Sequence, residues 1–332
     1  MPSFLVPCAL IVAGSDQGNN LARAGATIAP VAAACLAQLS AMLLRVCANP
    51  TQPGFNHYLF ESVAALVRCA VPAGRPAGGG LPDDTGRRAP GSPAAVPARA
   101  HPTPYSLRCR FGCEASPQSV STYEEMLFPP FQVVLQDDVQ EFHPYVFQIF
   151  AQLIELRPAG APLPETYMAL FQPLLTPLFW ERSGNIPALV RLLEAYLGAA
   201  AAEVASRGLL PPLLGVFQKL VASRGHDHEG FRILESLAQT LPAAALAPMM
   251  PQIWTLLFQR LQSSRTNKFV RCFVSAAALF VFKHGAAAPL DSMDAVQQGL
   301  SVMVLQSVSQ PAGCWDPRLP PPGLCTTLVT PA

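Results

Sequence analysis

The sequence predicts an all-α solenoid built from helix–turn–helix pairs and interrupted once by a disordered Gly/Pro/Arg-rich segment. Three observations predict it. Apolar residues recur at helical spacing over most of the chain, no stretch alternates as a half-buried strand does, and the helical pattern returns after about 40 residues. Composition agrees, with 332 residues that are 51% apolar, only 13% charged and of net charge +1. Such a chain can bury a large core, and it has no overall field to draw in nucleic acid or an anionic membrane.

Residues 1–24 precede the first helical pattern and are expected to be disordered. The run FLVPCALIVA (4–13) resembles the core of a secretory signal, yet the first basic residue is Arg23, so nothing charged precedes it as a signal requires. Residues 25–72 read as the first helix pair. Leu36, Leu39, Leu43 and Leu44 keep helical spacing, Asn49 and Pro50 stop the run, and Phe55, Tyr58, Leu59, Ser62 and Val63 open a second helix. The span from Ala24 to Leu44 carries no charge, but it holds Thr27, Pro30, Gln38 and Ser40 and is rich in alanine. A buried helix pair fits that composition better than a membrane span.

Helical periodicity stops over residues 73–121. This segment is rich in Gly, Pro, Ala and Arg and nearly lacks large apolar side chains, so it cannot repay the entropy of ordering and is expected to be a disordered insertion. No aromatic residues interleave the core of this stretch for bases to stack on, which favours a solvated linker over an RNA-binding arm.

From residue 122 to 309 the pattern is helical and repeats. First helices are expected near Tyr123, Glu165, Leu209, Ala247 and Pro289, with partners near Val139, Asn185, His228 and Thr266. This is the period of HEAT and armadillo repeats. The first helices carry Pro129-Pro130, Pro173, Pro177, Pro211-Pro212, Pro248 and Pro251, which are expected to remove ladder bonds and bend them. Residues 310–332 form a Cys- and Pro-rich tail, expected to be disordered.

The second helices show which residues are available for binding. Phe142, Tyr145, Val146, Ile149 and Leu153 share one stripe, and Gln148, Gln152 and Glu155 share the opposite one. In the next second helix Ile186, Leu189, Val190, Leu193, Tyr196 and Leu197 face inward, while Arg191 and Glu194 lie outside, three apart and able to pair. Arg232 continues this polar set, followed by Lys268 and Arg271, which lie opposite Phe269, Val270, Phe273, Val274, Phe280 and Val281. Stacked repeats turn such stripes into one extended surface. Gln148, Gln152, Glu155, Arg191, Glu194, Arg232, Lys268 and Arg271 are therefore the candidate partner-binding residues.

Nothing in the sequence points to catalysis or a cofactor. It has no G-x-S-x-G, no phosphate loop and no H-E-x-x-H. The densest polar cluster is His226-Asp227-His228-Glu229, whose histidines are two apart rather than the four that would place them on one helix face as metal ligands. It reads as a helix start, with Asp227 capping free amides. His143 and His284 read as structural. Cys35, Cys47, Cys69 and Cys272 lie in apolar runs and read as reduced core thiols, while Cys109 and Cys113 make a lone C-x-x-x-C without further ligands.

Four segments carry a more specific signature: QDDVQEFHPYVFQIFAQLIEL (136–156), YMALFQPLLTPLFWERSGNIPALVRLLEAYL (167–197), LLGVFQKLVASRGHDHEGFRILESL (213–237) and IWTLLFQRLQSSRTNKFVRCF (253–273). With FNHYLFES (55–62) and YEEMLF (123–128), they resemble the exportins of the karyopherin-beta family, in the right order and over long uninterrupted stretches. The resemblance implies a HEAT-repeat solenoid, a role without catalysis, and a place in nucleus and cytoplasm. It also implies two partners: importin-alpha as the cargo, and Ran in its GTP form, bound mostly through repeats outside this chain. A HEAT-repeat interaction scaffold without transport activity is the alternative. Residues 1–24, 73–121 and 310–332 do not share the resemblance. Their abrupt borders predict a central-to-C-terminal portion of a protein longer on both sides, the three segments being translated non-coding sequence or the product of an incomplete gene model.

Overall fold

The computed structural model describes residues 34–69 and 117–302, apart from Ala159 and Arg265. The expectations for residues 1–24, for most of 73–121, for the 310–332 tail and for Cys109 and Cys113 fall outside the described residues. So does the side chain of Cys69.

The described residues are helical throughout, with no strand among them. Helix α1 covers residues 34–48 and α2 covers Pro53–Cys69. Then come α3 (Pro117–Gln136), α4 (His143–Glu155), α5 (Glu165–Leu174), a 3-10 turn at Pro177–Trp180 and α6 (Ile186–Ser206). Helices α7 (Leu210–Ala222), α8 (Asp227–Thr240), a short α9 (Ala243–Leu246), α10 (Met250–Ser263), α11 (Asn267–His284) and α12 (Ala287–Val296) complete the series. The second helices stack in order, α2 on α4, α4 on α6, α6 on α8 and α8 on α11, while α7, α10 and α12 contact one another in sequence on the other layer. This is the expected HEAT-repeat solenoid, in which each pair buries its apolar stripe against the next.

Aromatic side chains fill the seams between pairs. Phe131, Phe147, Phe171, Tyr196 and Phe269 have no measurable exposure. Edge-to-face contacts run from Phe128 and Phe150 to Tyr167, and from Phe171 to Tyr196, the geometry that the ring quadrupole favours. The polar atoms that enter this core are matched. Tyr196 Oη donates to the Tyr167 carbonyl at 2.8 Å, and Trp180 Nε1 donates to the Leu174 carbonyl at 2.7 Å. Ser40, one of the polar residues that weakened the membrane reading, donates from Oγ to the Met126 carbonyl at 2.7 Å and ties α1 to α3. Among the described residues no helix is long and apolar enough to cross a membrane.

Several details differ from the sequence expectations. Helix α3 begins at Pro117, with Val120 buried, inside the end of the segment expected to be disordered; proline at the first position suits a helix start. Pro129, Pro130 and Pro173 do lie inside helices. Pro251 and the Pro211-Pro212 pair instead occupy first turns, where no ladder bond exists to be lost. A kink also lies in α6 at Ala200, with φ −140° and ψ 32°. Leu44, Phe55 and Tyr58 are exposed despite their helical spacing. Cys47 is buried, but Cys35 and Cys272 are only partly so.

Candidate functional site

The candidate residues lie on α4, α6, α8 and α11, the stacked second helices, and stacking decides what each one meets. Arg191 does not pair with Glu194 three residues on. It reaches back one repeat to Glu155, with Nη2 2.9 Å from Oε2. Glu194 pairs forward one repeat with Arg232, at 2.5 Å from Nη2, while the other arm of Arg232 holds Glu229 at 2.8 Å. Lys268 Nζ lies 2.8 Å from His228 Nδ1. The face is thus a ladder of contacts from each second helix to the next. Helix stacking brings residues 36 and 38 positions apart within bidentate reach, where the fork of arginine matches a carboxylate best.

Gln152 is a correction. It is 4% exposed, and its Nε2 donates to the Ala64 carbonyl of α2 at 2.9 Å. Its polar stripe on α4 turns under the preceding helix, so the amide joins two repeats and is withheld from any partner. Gln148, Glu155 and Arg271 are exposed. Glu194 and Arg232 are half-buried, with side-chain exposures of 29% and 19%.

Arg232 is the centre of the electrostatics. Burial raises the Glu194 carboxyl above its ordinary range, which the Arg232 hydrogen bond only partly offsets. Burial likewise pushes Glu235 up to about 7, with the negative charge of Glu194 adding to the effect and Arg232 opposing it. For Arg232 burial works the other way, but its contacts with Glu194 and Glu229 outweigh it and hold the guanidinium firmly charged. Across the seam, burial raises the Cys272 thiol to about 11, helped by Glu235 and Asp227, so it is not a reactive thiolate.

Beneath this face lies a buried ion pair that sequence reasoning missed. Asp227 is 1% and Arg260 6% exposed, and Arg260 Nη2 lies 3.4 Å from Asp227 Oδ2. Arg260 also donates to the backbone carbonyls of Val221 and Ser264 and lies over the Phe269 ring. As expected, Asp227 opens its helix and accepts a free first-turn amide, that of His228, at 2.8 Å; what the sequence did not show is that it also pairs with Arg260. No periodicity marks an arginine that turns inward. A second buried cluster joins Glu124, Arg157 and Tyr167, with Arg157 Nη2 2.7 Å from Glu124 Oε2 and Tyr167 Oη donating to Oε1 at 2.7 Å. His284 ends α11 and contacts the Ala238 carbonyl through Nε2 at 3.0 Å, a structural role. Among the described residues no group of three or more His, Cys, Asp or Glu side chains could hold a metal ion.

The chain matches the family model for the C-terminus of CAS/CSE proteins over residues 20–77 and 104–313. The match thus enters both ends of the segment expected to lack the resemblance. Exportin-2 of Danio rerio is 40% identical over 313 residues, covering 91% of this chain and 28% of the relative. Exportin-2 of Homo sapiens is 37% identical with the same coverage of each. Among solved structures, the exportin Cse1 in its cargo-free, cytoplasmic state superposes with a TM-score of 0.64 at 29% identity, over 85% of this chain and 26% of that one. The chain therefore spans about a quarter of the length of these relatives.

Proposed function

The chain belongs to the CAS/CSE family of exportins, and from that membership we propose that it serves as part of a nuclear export receptor that carries importin-alpha from nucleus to cytoplasm together with GTP-bound Ran. The observation that carries the reading is the family match, which runs through nearly all the described helices. The geometry supports a binding role without catalysis, because the polar side chains of the second helices are committed to neighbouring repeats rather than gathered around a reacting centre. The exposed Gln148, Glu155, Lys268 and Arg271, with the half-exposed Arg191, form the surface on which cargo would rest. Glu194 and Arg232 act as struts behind it, and Gln152 takes no direct part.

Affinity capture tests the proposal. The chain is grafted in place of the matching portion of a full-length exportin-2, and the immobilised graft is offered importin-alpha with Ran held in its GTP form, and separately with Ran in its GDP form. Retention of importin-alpha that depends on the GTP form is expected. Retention independent of the nucleotide, or none in either case, would refute export activity for this chain and leave the scaffold reading.

A further inference from the structure

The turns that lead into the second helices carry cations for which the fold has no use. Arg-Ser-Gly-Asn (182–185) precedes α6, Ser-Arg-Gly-His (223–226) precedes α8, and Lys268 lies in the first turn of α11. Arg182 and Arg224 are exposed and pair with no carboxylate among the described residues. Lys268 is 53% exposed and donates to His228 Nδ1 at 2.8 Å; Asp227, 3.9 Å away, is already held by Arg260. An ammonium has three donors, so Lys268 retains capacity for a further acceptor. A cation gains nothing for stability in these places, because the start of a helix carries the positive end of its dipole.

Stacking sets the three turns in one row. Lys219 Nζ donates to the Pro177 carbonyl at 3.2 Å, which joins the approach to Arg224 to the approach to Arg182. Lys268 and His228 meet in the same way, each the second residue of its helix. Packed helices lie about 8–10 Å apart, so successive cations of the row are spaced by about that distance. Glu181 is the one exposed carboxylate in these turns among the described residues. Asp227 and Glu229 are buried and held by Arg260 and Arg232. The row ends toward α4, where the preceding turn carries Asp137, Asp138 and Glu141. No aromatic ring stands exposed in the row for bases to stack on, since Phe179 packs against the core and Trp180 is buried. Single-stranded nucleic acid is therefore a poorer fit than protein.

We propose that this row of turns receives an extended acidic segment of a partner protein, whose carboxylates meet Arg182, Arg224 and Lys268 in succession. A polyproline II segment has three residues per turn and rises about 3.1 Å for each, so every third side chain returns to one face after about 9 Å. That interval matches the spacing of the stacked helices. The segment that fits carries Asp or Glu at every third position, and each arginine can offer its fork to a carboxylate. This contact requires neither importin-alpha nor Ran and stands apart from the export reading.

Fluorescence anisotropy of labelled peptides mixed with the full chain at low ionic strength provides the test. The spaced probe is Glu-Pro-Pro-Glu-Pro-Pro-Glu, and the clustered probe places the same three glutamates together between prolines. A third peptide has glutamine in place of each glutamate, and a uridine tetranucleotide carries the same charge as the spaced probe. The spaced probe is expected to bind at least threefold more tightly than the clustered one, with no saturable binding of the glutamine peptide. Arg182→Gln and Arg224→Gln should each weaken it at least threefold. Lys283→Gln, which removes the same charge from the opposite end of α11, should leave it unchanged. Absence of binding, equal affinity for spaced and clustered probes, an equal loss in Lys283→Gln, or tighter binding of the tetranucleotide would overturn the proposal.

Discussion

Replacing Arg232 with methionine keeps the length of the side chain and removes the guanidinium that faces Glu194, Glu229 and Glu235. Both of its ion pairs are short, and Glu229 is only 8% exposed. Removing one partner from a buried pair costs about 3–5 kcal/mol. The partial exposure of Arg232 and Glu194 lets water screen some of this, so a loss of about 3 kcal/mol is expected at pH 8. The loss depends on pH, and its sign follows from the carboxyls. Glu235 titrates at about 7 in the folded chain against an ordinary value of 4.5, and Glu194 is shifted in the same direction. A raised pKa contributes stability that is complete below the unfolded value and is lost as pH rises through the folded one. Without Arg232 both carboxyls rise further, so the deficit of the variant widens from pH 5 to pH 8. Urea denaturation followed by circular dichroism at pH 5 and pH 8 measures both ends. A loss below about 1 kcal/mol at pH 8, or one equal at the two pH values, would refute the idea that Arg232 compensates three carboxylates.

Glu235→Gln removes a carboxyl that burial disfavours when charged; it should stabilise the chain by about 1–2 kcal/mol at pH 8 and change little at pH 5, where Glu235 is protonated in the folded chain. The same denaturation series reads this, and a loss of stability at pH 8 would show that Glu235 makes a favourable ionic contact. Gly230→Ala gains about 1 kcal/mol of helix propensity. Its Cβ, however, would lie 2.8 Å from Val221 Cγ2 and 3.3 Å from Leu220 Cβ where α8 crosses α7, so a net loss of about 1–2 kcal/mol is expected. Combining it with Val221→Ala should recover part of that loss, and strict additivity of the two changes would speak against the clash.

The sequence by itself determined the fold class, the order of the helices and the family. Helical spacing at a repeat of about 40 residues has few solutions, because each pair has an apolar stripe that only its neighbours can bury. The stripe on α6 was legible residue by residue, from Ile186 to Leu197, and that on α11 at Phe269, Phe273 and Phe280, whereas Val270, Val274 and Val281 are only partly buried. What the polar residues do was decided by tertiary structure alone. A polar residue opposite an apolar stripe appears free when one helix is considered, yet the next repeat lies beside it. Stacking turns Gln152 under α2, sends Arg191 to Glu155 instead of Glu194, and places Arg260 over Asp227 in the core. Helical periodicity reports which side of a helix is apolar, and it carries no information about partners one repeat away.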